Sequence, residues 1–421
     1  MKRTISGIRG VVGGDLGPQD VIKYCGGFAG LAGGTCVIAR DTRPSGTMLK
    51  EAAAASLMEH GTDVLDLGVA PTPVAFYEAK KHGAGLVVTS SHNPIPWNGL
   101  KFILNGRGID EKELSVITAG PAGAATRVGK EQSITSDYVE QARQVVGTMD
   151  SPPDVVVDAG GGAASSIAPE LLRSLGCAVD VINAEAEGSS RGPDPTAGGL
   201  EKLASVCGER PGFAFDLDGD RMVLVMGGVQ QAPDATLALG VSRALRIGCK
   251  KFVLSIDTSL AVERLILGKG GEVHRSKVGE ANVVSMMLKT GAEAGGEGSS
   301  AGFILPSFNM CRDGILASGL VSSMAGSGEA DGVLEQMKGY VQIRTAVRPG
   351  PGAEMKGIQD RMSEKFGMTD TLDGIKAKAG ENSWVLVRES NTEDIMRISV
   401  ESDDQRDAER LMSEAKGIVE G

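Results

Sequence analysis

The sequence predicts an α/β protein of several domains, three of them alike and the fourth smaller and of α+β type. The first observation behind this is a recurring pattern. In "TCVIARDTRPSGTMLKEAAAASLMEHG" (35–61) an apolar, strand-like run ends at Asp41 among Thr, Ser and Gly, and a helix-like stretch follows. "DVVVDAGGGAASSIAPELLRSLG" (154–176) repeats the arrangement with Asp158, and "KFVLSIDTSLAVERLILGKGG" (251–271) repeats it with Asp257. A buried strand ending in polar turn residues that cap a helix is the βα unit of a parallel sheet. The recurrences lie roughly 100–120 residues apart, far longer than a solenoid repeat, so each is a domain. The second observation is a change of texture after the Pro/Gly cluster 349–352. There "SWVLVRES" and "IMRISVES" read as strands and "DDQRDAERLMSEAKGIVE" as a charged helix. The third is length: 421 residues hold several cores. The domains are placed at 1–148, 149–246, 247–344 and 345–421.

Composition narrows the functional classes. The 60 glycines show no collagen-like period and sit between apolar runs, as turns and loops do. A net charge of −11 without a basic block argues against a nucleic-acid surface, yet a local nest of Arg and backbone N–H groups holds phosphate even in an acidic protein. The six cysteines are dispersed, form no CxxC and read as buried thiols. With no signal peptide and no apolar run near 18 residues, the expectation is a cytoplasmic protein that does not enter a membrane.

Four segments carry chemistry. "TSSHNPIPWNGLKF" (89–102) follows the apolar "GAGLVV", where an α/β domain exposes its functional loops. Pro94 and Pro96 exclude a helix through it. Ser91, on a stiff loop ten residues before Lys101, reads as a nucleophile or phosphoryl carrier, against a hydroxyl-rich turn satisfying its own backbone. "FAFDLDGDRMVLV" (213–225) sets Asp216, Asp218 and Asp220 between two strands. Three carboxylates so close call for a hard cation, Mg²⁺ or Ca²⁺, unless the turn is merely an acidic hairpin. The EF-hand reading fails, because its sixth and twelfth positions are Arg221 and Gly227. Arg221 beside a metal favours phosphate. "GGEGSSAGF" (295–303) offers Glu297, Ser299 and Ser300 to sugar hydroxyls, or is a plain loop. "VRESNTEDIMRISV" (387–400) offers Arg388, Ser390, Asn391, Thr392 and Arg397 to a phosphate, or is a capped turn. Arg9, between glycines, and Arg40 and Arg43 form two basic turns that read equally as surface charge. His60, His82 and His274 show no metal-ligand spacing.

Taken in order, "TSSHNP", "DLDGDR", "GEGSSAG" and "RESNTED" resemble the four motifs of the α-D-phosphohexomutase superfamily, over the whole chain. "SGIRGVVG", "RDTRPSG", "APTPV", "VGEANV" and "CRDGILA" resemble its archaeal phosphoglucosamine mutase and phosphomannomutase branch. The resemblance implies three similar α/β domains with mixed sheets and a smaller α+β C-terminal domain, in a heart-shaped molecule around one central cleft, each domain giving one loop. It implies Ser91 as the phosphorylated serine, and Asp216, Asp218 and Asp220 as Mg²⁺ ligands together with Ser91. It implies sugar contacts from Glu297 and Ser299, and a phosphate grip by Arg388, Ser390, Asn391 and Thr392. Lys101 is then the general acid or base, with a lowered pKa beside a metal and other cations. Arg9 clamps the transferring phosphoryl group, His92 positions the loop, and Arg221 and Arg397 bind substrate. The implied reaction exchanges hexose 6-phosphate and hexose 1-phosphate through a hexose 1,6-bisphosphate. Glucosamine is the first choice of sugar, and mannose or glucose the alternatives. The partners are small hexose phosphates, and the protein a monomer or homodimer.

Four positions depart from the family pattern. Ala301 stands where the sugar loop often ends in His. Glu389 and Asp394 replace prolines beside the phosphate site. Ser90 replaces the alanine before Ser91. A weakened sugar-phosphate-binding protein is the alternative from another class, and a Mg²⁺ phosphatase a third.

Overall fold

A computed structural model describes the chain except residues 122, 124, 188, 351–353 and 390–394. It contains four sheets. In the first, Asp63–Val69, Thr35–Arg40 and Ala84–Val88 run parallel, and Trp97–Leu104 joins antiparallel beside Ala84–Val88. The second repeats the order with Val179–Ile182, Val155–Asp158, Gly212–Phe215 and the antiparallel Met222–Met226. The third repeats it again with Glu272–Ser276, Lys251–Ser255, Ala294–Glu297 and the antiparallel Gly302–Ile304. The three recurrences read in the sequence are the central strands Thr35–Arg40, Val155–Asp158 and Lys251–Ser255. Each is buried on both faces, which is why each reads as an unbroken apolar run.

This shared order positions the site. The Ser91 loop, the aspartate loop and the Glu297 loop occupy one topological place in three sheets. Each joins the last parallel strand to its antiparallel neighbour, where ligands gather outside the carboxyl ends of parallel strands. The fourth sheet is wholly antiparallel, in the order Val341–Val347, Met396–Ser402, Trp384–Glu389, Ile375–Lys378 and Thr369–Asp370. The helices Met355–Phe366 and Gln405–Glu420 cover one of its faces.

One continuous core runs through the first three sheets, from Ala39 and Val87 through Val157 and Phe213 to Leu254 and Leu316. The fourth sheet has its own core around Ile358, Val385, Val400 and Leu411. It meets the third through a small cluster of Ile256, Trp384 and Leu386. Five of the six cysteines are buried and none is paired. Among the described residues, no helix is long and apolar enough to cross a membrane.

Candidate active site

The strand Ala84–Val88 ends in Thr89, and the chain then turns sharply. Ser91 adopts a left-handed backbone with φ 49°, a conformation unfavourable for a residue with a Cβ and one that persists only where its surroundings enforce it. Arg43 does the enforcing. Its guanidinium is buried and donates to the carbonyls of Ser91 (2.6 Å), Asn93 (2.6 Å), Pro94 (2.7 Å) and Trp97 (2.8 Å), while Nε donates to Asp41 (3.1 Å). Asp41 also accepts from the Thr89 hydroxyl (2.6 Å), which in turn accepts the Ser91 amide (2.8 Å). The surface-charge reading of Arg43 therefore fails: the residue is 1% exposed.

This scaffold aims Ser91 Oγ at the second sheet, where it donates to Asp216 Oδ2 at 2.7 Å. Asp216, Asp218 and Asp220 are fully buried, with a ligand oxygen from each lying within 4.8 Å of the others. Gly219 lets the loop form at the meeting point of three units. Its φ is +68°, and a Cβ there would lie 3.2 Å from Pro71, 3.4 Å from Ala164 and 3.5 Å from Ile315. Burial first, then the Asp218 and Asp220 charges, push the Asp216 carboxyl well up. Burial would raise Asp220 too, but the Arg312, Lys101 and Arg221 charges overcome it and hold that carboxyl well below the usual carboxylate range. Asp218 Oδ1 and Asp220 Oδ1 are buried with no hydrogen-bond partner. Two orphaned carboxylate oxygens beside a serine hydroxyl are an all-oxygen donor set that fits a hard divalent cation.

Beside the aspartates lies a cavity of about 570 Å³. Lys101 and the arginines 9, 221, 312, 344, 388 and 397 line it, a concentration of positive charge in an acidic protein and a counterpart for phosphate dianions. Lys101, on the strand Trp97–Leu104, sits 3.1 Å from Asp220 and 3.2 Å from Glu280. Burial alone would lower its pKa, but Glu280 and Asp220 override it and hold the ammonium above the ordinary lysine range. The lowered value expected from the sequence belongs to a metal-bound site; the carboxylates themselves act in the opposite direction. The Arg221 charge, then burial and Arg9, push His92 far down, so its imidazole is neutral; Nδ1 lies 3.4 Å from Ser91 Oγ. Arg9 donates to Asn93 Oδ1 (3.2 Å).

On the third sheet Glu297 is 2% exposed. It accepts the Gly279 amide (2.6 Å) and Arg312 (3.0 Å), and burial pushes its carboxyl up. Ser299 lines the cavity next to it. Ala301 takes a left-handed turn and is buried in the apolar cluster behind the second sheet. On the fourth sheet Arg388 and Arg397 face each other across paired strands, and Arg344 shares their face. Arg388 is held by Asp373 at 2.6 Å. Ser390, Asn391 and Thr392, with Asp394, lie outside the described residues.

Sequence reasoning missed several cavity residues. Arg312 donates to Asp220 (2.8 Å) and Glu297 and lies 3.5 Å from Glu280, so it joins the aspartates to the Glu297 loop. A lone arginine in "NMCRDGIL", between apolar residues, was the available signal. Glu280, at the start of the helix Glu280–Thr290, and Arg344, in the middle of the strand Val341–Val347, had no signal beyond their charge. Asp194, 3.7 Å from Arg221, was hidden in the Gly/Pro-rich stretch 192–199.

Comparison with known proteins accounts for this arrangement. Family models for phosphoglucomutase/phosphomannomutase match the chain in succession: alpha/beta/alpha domain I at residues 1–127, domain II at 136–228, domain III at 232–339 and the C-terminal domain at 343–417. Proteins named probable phosphoglucosamine mutase are 34% identical in Methanothermobacter thermautotrophicus, over 99% of this chain and 97% of that one, and 34% in Thermococcus kodakarensis, over 98% and 97%. Among solved structures, a putative phosphomannomutase from Thermus thermophilus superposes with a TM-score of 0.84 at 26% identity, covering 100% of this chain and 99% of that one. A phosphoglucomutase/phosphomannomutase family protein from Burkholderia thailandensis gives 0.84 at 25%, covering 99% and 98%. Matched from end to end in all four of its parts, the chain belongs to the phosphoglucomutase/phosphomannomutase family, the phosphohexomutases, a family of isomerases that transfer phosphoryl groups within hexose phosphates.

Proposed function

We propose that the protein is a Mg²⁺-dependent phosphohexomutase that interconverts hexose 6-phosphate and hexose 1-phosphate, with glucosamine phosphates as its preferred substrates and mannose or glucose phosphates as the alternatives. One observation carries this reading: Ser91 Oγ lies 2.7 Å from Asp216, in a buried carboxylate triad, at the wall of a cavity rich in arginine. Asp216, Asp218, Asp220 and the Ser91 oxygen are the residues that would hold Mg²⁺. The cation would neutralise charge on the transferring phosphoryl group.

In the proposed cycle Ser91 begins phosphorylated. A sugar hydroxyl oxygen forms a bond to phosphorus as the bond to Ser91 Oγ breaks, and the hydroxyl proton ends on Ser91 Oγ. The hexose 1,6-bisphosphate turns over in the cleft, and Ser91 takes back the other phosphoryl group. Phosphoryl transfer depends mainly on positioning and charge neutralisation. Arg43 supplies the first by fixing the loop backbone. Arg9, Arg221 and Lys101 supply the second, Lys101 as an ammonium that donates towards the departing oxygen. His92, neutral, orients the loop. Glu297 and Ser299 face the sugar hydroxyls. Arg388 and Arg397, with Ser390, Asn391 and Thr392, grip the phosphate that stays in place.

The test is a panel of glucosamine, glucose and mannose 6-phosphates with kcat/KM compared across it, alongside intact mass. A phosphoryl increment of about +80 Da on Ser91, discharged by hexose monophosphate, supports the cycle. Net release of inorganic phosphate identifies a phosphatase instead. Sugar-phosphate binding without isomerisation identifies a binding protein.

A further inference from the structure

Away from the cleft, a second cavity of about 530 Å³ opens between the helix Leu260–Gly268 of the third domain and the strands Ile375–Lys378 and Trp384–Glu389 of the fourth. Lys376 reaches into this seam. Its Nζ lies 4.1 Å from the centre of the Trp384 ring and donates to the carbonyl of Ile256 at 2.5 Å. Among the described residues it has no carboxylate within ion-pair distance, unlike Lys50 and Lys101, each of which is bound to carboxylates. The acidic groups near it are engaged elsewhere. Glu401 accepts from the Leu260 amide, Gln342 and Trp384; Glu263 pairs with Arg275; Asp257 accepts from Ser255. Asp370 is taken by the Leu372 amide, and Glu381 sits exposed at the mouth.

We propose that Lys376 is a reactive amine at which the protein takes an acyl group from a small acyl phosphate, and that acylation there loosens the fourth domain from the third. The cavity gives a small electrophile access to Nζ, and its wall holds Arg264 and Lys378, which offer positive charge to a phosphate leaving group, beside the carboxylates Glu263, Asp370 and Glu381. The Nζ lone pair forms a bond to the acyl carbon, the bond from that carbon to the phosphate oxygen breaks, and the amine proton leaves on the phosphate. Burial, aided by the Arg275 charge and opposed by Glu401, Asp257 and Glu263, pushes the Lys376 ammonium down to about 7, so the attacking form is present at neutral pH. Acylation removes the charge that stacks on Trp384 and crowds the tie to Ile256, whose neighbour Asp257 lines the cleft.

The experiment treats the full-length protein with acetyl phosphate at a series of pH values and follows each lysine by peptide mass mapping. The expected result is acetylation of Lys376 at least tenfold faster than of the exposed Lys269 and Lys289 at pH 7, with a rate that levels off just above pH 7. A Lys376 that stays unmodified, or reacts no faster than those two, overturns the proposal. Hydrogen exchange at 255–260 and 375–386 is then compared among acetylated protein, untreated protein and K376R treated in the same way. Faster exchange in the acetylated wild type alone supports loosening, and equal exchange in all three refutes it. Neither readout depends on mutase turnover.

Discussion

Removing the Arg43 side chain is the perturbation whose outcome is most closely fixed by the geometry. Arg43 and Asp41 are both buried, and Arg43 donates to five loop carbonyls besides the aspartate. Hydrogen bonds from a charged donor contribute about 1.5–3 kcal/mol each, but a loop that opens recovers part of this from water. The better guide is the removal of one partner from a buried pair, which costs about 3–5 kcal/mol. Burial already pushes the Asp41 carboxyl up against the Arg43 and Thr89 contributions, so R43A leaves a carboxyl that takes up a proton. We expect the equilibrium for local opening of 89–98 to rise by about 10³, from roughly 4 kcal/mol at 1.4 kcal/mol per tenfold. The assay is amide hydrogen exchange across that loop, with kcat measured in parallel. The Ser91 left-handed turn relaxes once its clamp is gone, and kcat falls at least 100-fold if about 3 kcal/mol of positioning is lost. Adding D41N to R43A changes little, whereas D41N alone destabilises, because in R43A the Asp41 carboxyl is already neutral. An R43A protein with unchanged exchange at 89–98 and more than a tenth of the wild-type kcat refutes the reasoning.

Three further predictions follow from the site and its surroundings. Mg²⁺ at about a hundredfold excess over its Kd adds about 2.7 kcal/mol of stability, seen as a higher thermal midpoint; D218N loses this increment, and chelation abolishes turnover. Lys101, 3.1 Å from Asp220 at the cavity wall, is expected to supply about 10²–10⁴ in kcat, the loss read in K101M; a K101M protein within tenfold of the wild-type kcat would contradict this assignment. Asp313 caps the helix Gly314–Gly326 and accepts from Tyr138 (2.6 Å), yet burial outweighs these hydrogen bonds and pushes it from 3.8 to about 6. A raised carboxyl pKa gives stability that is fully present below 3.8 and lost as pH rises through about 6. Wild type should lose on the order of 3 kcal/mol across that window, and D313N, followed by denaturant unfolding, should lose much less.

The repeated βα units were legible because a strand buried on both faces leaves an apolar run that ends in polar turn residues before its helix, as in "TCVIARD" and "KFVLSID". The serine and aspartate motifs were legible because stiff loops and alternating carboxylates are local features. Their meeting was not, since a 2.7 Å contact between Ser91 and Asp216 depends on how two sheets pack. Arg43 and Arg312 were harder still. A surface arginine and a buried one look alike in a sequence, and the difference lies in carbonyls and carboxylates distant along the chain. The carboxylates around Lys101 were illegible for the same reason: Glu280 lies on another domain.

The three units that share a single interior cannot shift past one another without opening it. The last unit keeps a separate interior and is fastened by a few contacts. In the proposed cycle the serine, aspartate and Glu297 loops therefore ride on one rigid body, and only the grip on the phosphate that stays in place belongs to a separately built wall.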